Sequence, residues 1–150
     1  MSGRCSVFEH LVIRPTLSCL NVKSISAIKL LLGTALSETD INTRMADDGF
    51  GVYGITSIQH RQAWDQYLVY KPELASKIRS LASRNRFLQN PDEELAENTA
   101  YATAIAWIIY EMAEQPLPEP AMDETLASFW QRYFHKGTSA DWYLPVADSA

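Results

Sequence analysis

Apolar positions along this chain recur at helical spacing in several separate blocks, and strand-like alternation is nearly absent. Residues from about Cys5 to Leu20 read as one or two short helical pieces, interrupted near Pro15. Ser24 offers an N-cap to a stronger helix, in which Ile28, Leu31, Leu32, Ala35 and Leu36 share a face and Leu30 fills the side. A helix apolar almost all round is expected at the centre of its domain. Its pattern runs out at Ser37–Asp40, and from Asn42 to Gly54 glycines and aspartates replace the helical period, which predicts a loop or small hairpin.

Beyond that loop, Ser57 can cap a helix containing Ile58, Trp64, Tyr67 and Leu68. Pro72 suits the first turn of another that reaches about Arg84 with Leu74, Ile78 and Leu81 inward. The run Asn90-Pro91-Asp92-Glu93 is the clearest helix start: Asn90 can cap, Pro91 takes the first position and Glu93 can close a capping box. That helix is expected to continue to about Glu114. The stretch Pro116–Pro120 reads as an extended spacer. Asp123 opens the last helix, with Leu126, Phe129, Trp130 and Tyr133 on one side and Gly137 as its stop. The expected architecture is mainly α, a helical bundle around one buried helix with a small loop or hairpin at a cleft.

Composition makes this a single folded domain. With 150 residues, 47% hydrophobic, the chain can bury about two-thirds of its unfolded surface without metals or disulfides. We expect one domain over 1–150, its core over about 5–137 and a C-terminal surface tail over 138–150. Thirteen basic against 18 acidic residues give a formal charge of −5, without the broad basic field that nucleic-acid binding requires. The basic group Lys77, Arg79, Arg84 and Arg86 reads as a solvated helix face. Cys5 and Cys19 have no metal-ligand spacing and read as two buried thiols. The first residues are charged and broken by Pro15, unlike a signal peptide, and no apolar run is long enough to span a bilayer. No cofactor, metal, nucleic acid or membrane insertion is expected.

One carboxylate is unusual. Glu38 lies three residues past Ala35, four past Thr34 and seven past Leu31, on the continuation of the buried stripe. Desolvation there, and the negative end of the helix dipole at the C-terminus where Glu38 is expected to sit, both favour a protonated carboxyl, the state a general acid needs. The alternative is a helix-end glutamate turned to solvent. Asn98 falls on the stripe of Leu95, Ala102, Ile105 and Ile109, where it is either a member of a structural network or an amide aimed into a cleft. His60 reads as an exposed helix residue, and Trp64, Tyr67 and Tyr70 as core or edge-of-core aromatics.

The run Leu31-Leu32-Gly33-Thr34-Ala35-Leu36-Ser37-Glu38-Thr39, then Gly51-Val52-Tyr53-Gly54-Ile55, then Asn98-Thr99-Ala100-Tyr101-Ala102-Thr103, resembles the lysozyme-like lytic transglycosylases, most closely their short bacteriophage members. The resemblance covers about residues 5 to 137. It implies an α+β lysozyme-like fold with Glu38 as the catalytic acid and Thr39 as the small hydroxylic residue after it. It also implies Tyr53 as the cleft-lining aromatic, Asn98 and Tyr101 as the polar pair facing sugar, and Trp130 with Tyr133 as the aromatic last helix. The chain departs from the family where Gly54 replaces a glutamine and Thr56-Ser57-Ile58-Gln59 replaces the residues after it; Gln59 is the candidate substitute for the missing sugar contact.

The resemblance further implies cleavage of the β-1,4 bond between N-acetylmuramic acid and N-acetylglucosamine in peptidoglycan, by a single glutamate and without cofactors. A second acid would have to come from Asp40, Asp47 or Asp48, which read as turn formers. The expected partners are peptidoglycan glycan strands and other virion proteins. The expected location is a phage virion, or the host cytoplasm before lysis, with action at the bacterial cell wall. Two further readings stand beside the enzyme: a virion structural or assembly protein that keeps the fold and has lost turnover, and an all-α binding module in which Glu38 is an ordinary surface residue.

Overall fold

The computed structural model describes residues 7–44, 49–136 and 139–143, with 84–86 as backbone only. These residues form a mainly helical domain. A π-helical turn, Glu9–Ile13, leads into α1 (Arg14–Cys19), followed by α2 (Ile25–Arg44), α3 (Ser57–Gln66), α4 (Pro72–Leu81), α5 (Arg84–Gln89), α6 (Pro91–Glu97), α7 (Thr99–Glu111) and α8 (Asp123–Tyr133). Short 3-10 turns lie at Leu68–Tyr70 and Ala140–Trp142.

Pro15 does not interrupt the first helical stretch. The π turn before it widens the backbone, with Arg14 N–H donating to Glu9 O, and so accommodates a residue that has no donor and crowds the carbonyl four positions back. Ile13 and Leu17 of this stretch are buried, whereas Cys19 is exposed, not a core thiol; Cys5 lies outside the described residues.

Ser24 caps α2 as expected, its Oγ accepting from Ala27 N–H at 3.1 Å. The helix does not end at Ser37–Asp40, however; it continues to Arg44. Thr34 and Ser37 return their hydroxyls to the helix's own carbonyls, at Leu30 O (2.7 Å) and Gly33 O (2.6 Å), so they satisfy themselves without breaking it. Ile41 adds one more buried position to the stripe of Leu31, Thr34 and Glu38. Glu38 therefore sits inside a helix, beyond the last-turn range over which the dipole acts.

The longest unbroken buried stretch belongs to α7, in which every residue from Tyr101 to Tyr110 is buried. The single helix expected from Asn90 to Glu114 is in fact two. Asn98, at φ −127° and ψ 97°, ends α6 and caps α7, its Oδ1 accepting from Tyr101 N–H at 3.0 Å. Helix α5 was not anticipated. Two caps also differ: Thr56 and Gln59, not Ser57, form the capping box of α3, and Asn90 instead donates to Glu93 through its amide at 3.0 Å.

Between α2 and α3 the glycines form a tight hairpin. Phe50 and Ile55 exchange backbone hydrogen bonds at 2.9 and 3.3 Å around a turn in which Gly51 and Gly54 take φ +72° and +57°. The Pro116–Pro120 spacer is held to α2 by Ser26, whose hydroxyl donates to Pro118 O at 2.8 Å. Gly137, the expected stop of the last helix, lies outside the described residues, and α8 ends at Tyr133. The expected surface tail contributes to the interior through Tyr143, which is 5% exposed.

Candidate functional site

A cleft of about 480 Å³ opens between α2, the hairpin, α3, the end of α7 and the end of α8. Its size falls within the range of small-molecule and oligomer subsites. At its floor lies Glu38, whose side chain is 1% exposed. Oε2 of that carboxyl accepts from Trp130 Nε1 at 3.0 Å and pairs with His135 Nδ1 at 2.7 Å. When the carboxyl is ionised, Nδ1–H of His135 is the second donor to this oxygen. Oε1 faces Gly54: a Cβ on that residue would stand 2.7 Å from it. The glycine thus leaves the space that the acid occupies.

Helix α3 contributes an amide stripe. Gln59, Gln62 and Gln66 follow one another three and four residues apart, and all three line the cleft. Gln59 is already engaged, accepting from Thr56 N–H at 2.9 Å and donating to Phe134 O at 2.8 Å, so it ties the end of α8 to α3. Gln62 and Gln66 are exposed at the rim. Opposite them stand Tyr133, His135 and Lys136. Among the described lining residues Glu38 is the one carboxylate and Lys136 the one Lys or Arg. Asp40 is turned outward in an ion pair with Arg44, and Asp47 and Asp48 lie outside the described residues.

Of the residues anticipated from sequence, the structure brings Glu38, Gln59 and Tyr133 into one cleft. Four others do not line it. Thr39 is exposed on the adjacent helix position and leans on Val52 O at 3.4 Å. Tyr53 is fully buried, its hydroxyl donating to Thr103 Oγ1 at 2.9 Å and its ring packed 6.2 Å from that of Phe8. Asn98 spends both ends of its amide on the α6–α7 break, donating to Leu81 O at 2.7 Å and Glu94 Oε2 at 3.0 Å while capping α7. It takes the structural alternative of the two that its position allowed.

Tyr101 belongs to a second buried cluster. Its hydroxyl accepts from Trp64 Nε1 at 2.9 Å and meets His60 Nε2 at 2.7 Å, while His60 Nδ1 pairs with Asp92 Oδ1 at 2.9 Å. Ser57 closes the chain by donating to Asp92 Oδ2. His60 is therefore buried at 2% exposure, contrary to its expected place on an exposed helix face. Burial, opposed by Asp92, holds the imidazole below its ordinary value of 6.5, and burial raises the Tyr101 phenol. His60 is then neutral, with Nδ1–H on the carboxylate and Nε2 accepting from Tyr101.

Sequence reasoning missed His135, Lys136, Gln62 and Gln66 as cleft residues. The 59/62/66 spacing of glutamines was a readable helical stripe, whereas nothing local marks His135 as a partner of Glu38. Beneath the cleft, burial, with smaller contributions that include the nearby Glu38, holds the Tyr110 phenol well above its ordinary value. Tyr110 accordingly remains a donor, to Thr34 Oγ1 at 2.7 Å.

Comparison with family models, with curated proteins and with solved structures returned no match to this chain. The site therefore stands on its own geometry. Among the described residues, no group of three His, Cys, Asp or Glu side chains could hold a metal ion, and no helix is long and apolar enough to cross a membrane.

Proposed function

We propose that this protein is a phage-type muramidase or lytic transglycosylase that cleaves the MurNAc–GlcNAc β-1,4 bond of peptidoglycan with Glu38 as its working acid. We further propose that its helices form a lysozyme-like domain in which α2 is the helix that carries the acid to the cleft. The observation that supports this most is a buried glutamate at the floor of a 480 Å³ cleft, fixed through one oxygen by two nitrogen donors. No second carboxylate accompanies it among the described lining residues.

In this reading Glu38 gives its proton to the glycosidic oxygen as the bond to the anomeric carbon breaks. The resulting carboxylate then takes a proton from the attacking hydroxyl. If that hydroxyl is the muramyl 6-OH, the product is a 1,6-anhydro sugar and one carboxylate suffices; paired-carboxylate hydrolysis needs two. A one-acid cleft supports the transglycosylase route. Trp130 and His135 hold Oε2, and Oε1 faces Gly54. Gln62 and Gln66 offer amides to hydroxyl and N-acetyl groups, and Tyr133 offers a ring edge or face for a sugar.

A turbidity or zymogram assay on purified peptidoglycan tests the proposal. Wild-type protein clears the substrate and Glu38→Gln does not, and mass spectrometry of the products finds the anhydro end. An inert wild type, or equal clearing by Glu38→Gln, overturns it. Such an enzyme acts at the bacterial wall after host lysis or from within a virion.

One observation favours a second reading, a virion structural or assembly protein that has lost turnover: the 1% exposure of the Glu38 side chain, low for an acid that must touch substrate. Mass spectrometry of purified particles, with the activity assay, separates the two. An inactive protein present in particles supports the structural reading, and absence from particles opposes it.

A further inference from the structure

The acid's two donors come from one place in the fold, the end of α8 and the turn after it, and a third aromatic residue stands behind them. Tyr143 is 5% exposed and packs its ring 5.6 Å from that of Trp130, at 50° between planes. It lies across α2 at Gly33, where a Cβ would stand 1.9 Å from the Tyr143 hydroxyl oxygen and 2.4 Å from its Cζ. Only a glycine admits the ring there. Gly33 is five residues before Glu38 on the same helix. The Tyr143 hydroxyl has no hydrogen-bond partner among the described residues. Burying a phenol in this way costs free energy that a phenylalanine would not, so the placement of the ring, not the hydroxyl, is what the contact supplies. The turn that carries it is closed locally, with Ser139 Oγ accepting from Asp141 N–H at 3.1 Å and Tyr143 N–H donating to Ala140 O at 3.1 Å.

We infer that Tyr143 is a positioning residue for the Glu38 site: wedged into the notch at Gly33, its ring backs the indole of Trp130 and holds Nε1–H on Glu38 Oε2. The chain of contact runs Gly33, Tyr143, Trp130, Glu38, and ties the segment after α8 to the helix that bears the acid. A tryptophan with the rings of both Tyr143 and His135 against it, at 5.6 and 5.4 Å between ring centres, has little rotational freedom. Removing the Tyr143 ring opens a void beside the indole, and enlarging Gly33 expels the ring. In either case the indole loses its stop. The inference rests on the proposed role of Glu38 for its catalytic meaning, but the Trp130–Glu38 hydrogen bond can be observed without any activity.

The experiment is an NMR measurement of the indole Nε1–H resonances on the full chain, with Trp130 assigned by Trp130→Phe. In the wild type the Trp130 resonance lies downfield, and Glu38→Ala, which removes the acceptor, moves it upfield. Tyr143→Phe keeps the ring and leaves the resonance as in the wild type. Tyr143→Leu keeps an apolar side chain at the site but removes the ring, and moves the Trp130 resonance upfield; Gly33→Ala does the same. If peptidoglycan is cleaved, Tyr143→Leu lowers kcat about tenfold or more with little change in KM, as expected for a misplaced catalytic group, and Tyr143→Phe retains the rate. An unchanged Trp130 resonance in folded Tyr143→Leu and Gly33→Ala overturns the inference, whatever the activity. An inert wild type with the expected resonance changes overturns the proposed reaction and leaves the positioning contact standing.

Discussion

Replacing Gly54 by alanine tests the construction of the site most directly. Two penalties combine. The residue sits at φ +57°, a left-handed conformation that costs an L-residue about 1–2 kcal/mol. The new Cβ would also stand 2.7 Å from Glu38 Oε1 and 3.4 Å from Glu38 Cβ. The carboxyl cannot simply rotate away, because Oε2 is held by Trp130 at 3.0 Å and His135 at 2.7 Å. Loosening those two hydrogen bonds, at about 0.75–1.5 kcal/mol each, adds about 1.5–3 kcal/mol. Gly54→Ala should therefore destabilise the fold by about 2.5–5 kcal/mol in urea unfolding. In a Glu38→Ala background only the backbone part remains, about 1–2 kcal/mol, so the double-mutant cycle should show a coupling of about 1.5–3 kcal/mol. A change under about 0.5 kcal/mol for Gly54→Ala, or the same cost in both backgrounds, would refute the reasoning. Gly54→Gln should be at least as destabilising.

Tyr101→Phe strips the partner from two buried nitrogens, Trp64 Nε1 and His60 Nε2, and should cost about 2–4 kcal/mol by denaturant titration. Stability should also depend on pH through His60. Its pKa is lower in the folded than in the unfolded chain, so the unfolded state binds the proton first. The contribution is complete above about pH 6.5 and is lost as pH falls from there toward the folded value. His60→Gln should flatten that part of the stability–pH curve, and an unaltered slope would show that the imidazole is not responsible. Asn98→Ala removes the cap of α7 and should destabilise by about 1–2 kcal/mol; if the proposed cleavage of peptidoglycan occurs, its KM should be unchanged, because the amide does not line the cleft. A raised KM in folded protein would count against this assignment.

Much of the helical outline was legible because the apolar stripes are strong: α4, α8 and the Ser24 start of α2 follow the pattern closely. The misreadings have local causes. Ser37, Glu38, Thr39 and Asp40 look like a helix end because polar residues with short side chains compete for backbone groups, but here Ser37 bonds Gly33 O and Thr43 bonds Thr39 O, so the helix absorbs them. Asn98 has the opposite character. It sits in a continuous apolar period, and only its cap of Tyr101 N–H and its bond to Leu81 O, contributed from another helix, reveal a break. At the site, Glu38 could be singled out because burial of an acid can be read from helical register. His135 and Trp130 as its partners could not, being 97 and 92 residues away along the chain.

That separation governs how the acid is controlled. Inside a helix, Glu38 draws nothing from a terminal dipole, so its environment is set by side chains delivered by other elements. Both nitrogen donors ride on the end of α8, and three anchors fix that end. Gln59 holds Phe134 O, the rings of Phe129 and Phe134 stack on Tyr110 at 5.7 and 5.2 Å, and Tyr143 backs Trp130. Tyr110 in turn donates to Thr34, one helical turn before Glu38. Each anchor therefore returns to the cleft or to α2 itself. A shift of the α8 end that uncovered the acid would also withdraw its donors, so access to Glu38 and the hydrogen bonding of its carboxyl change together.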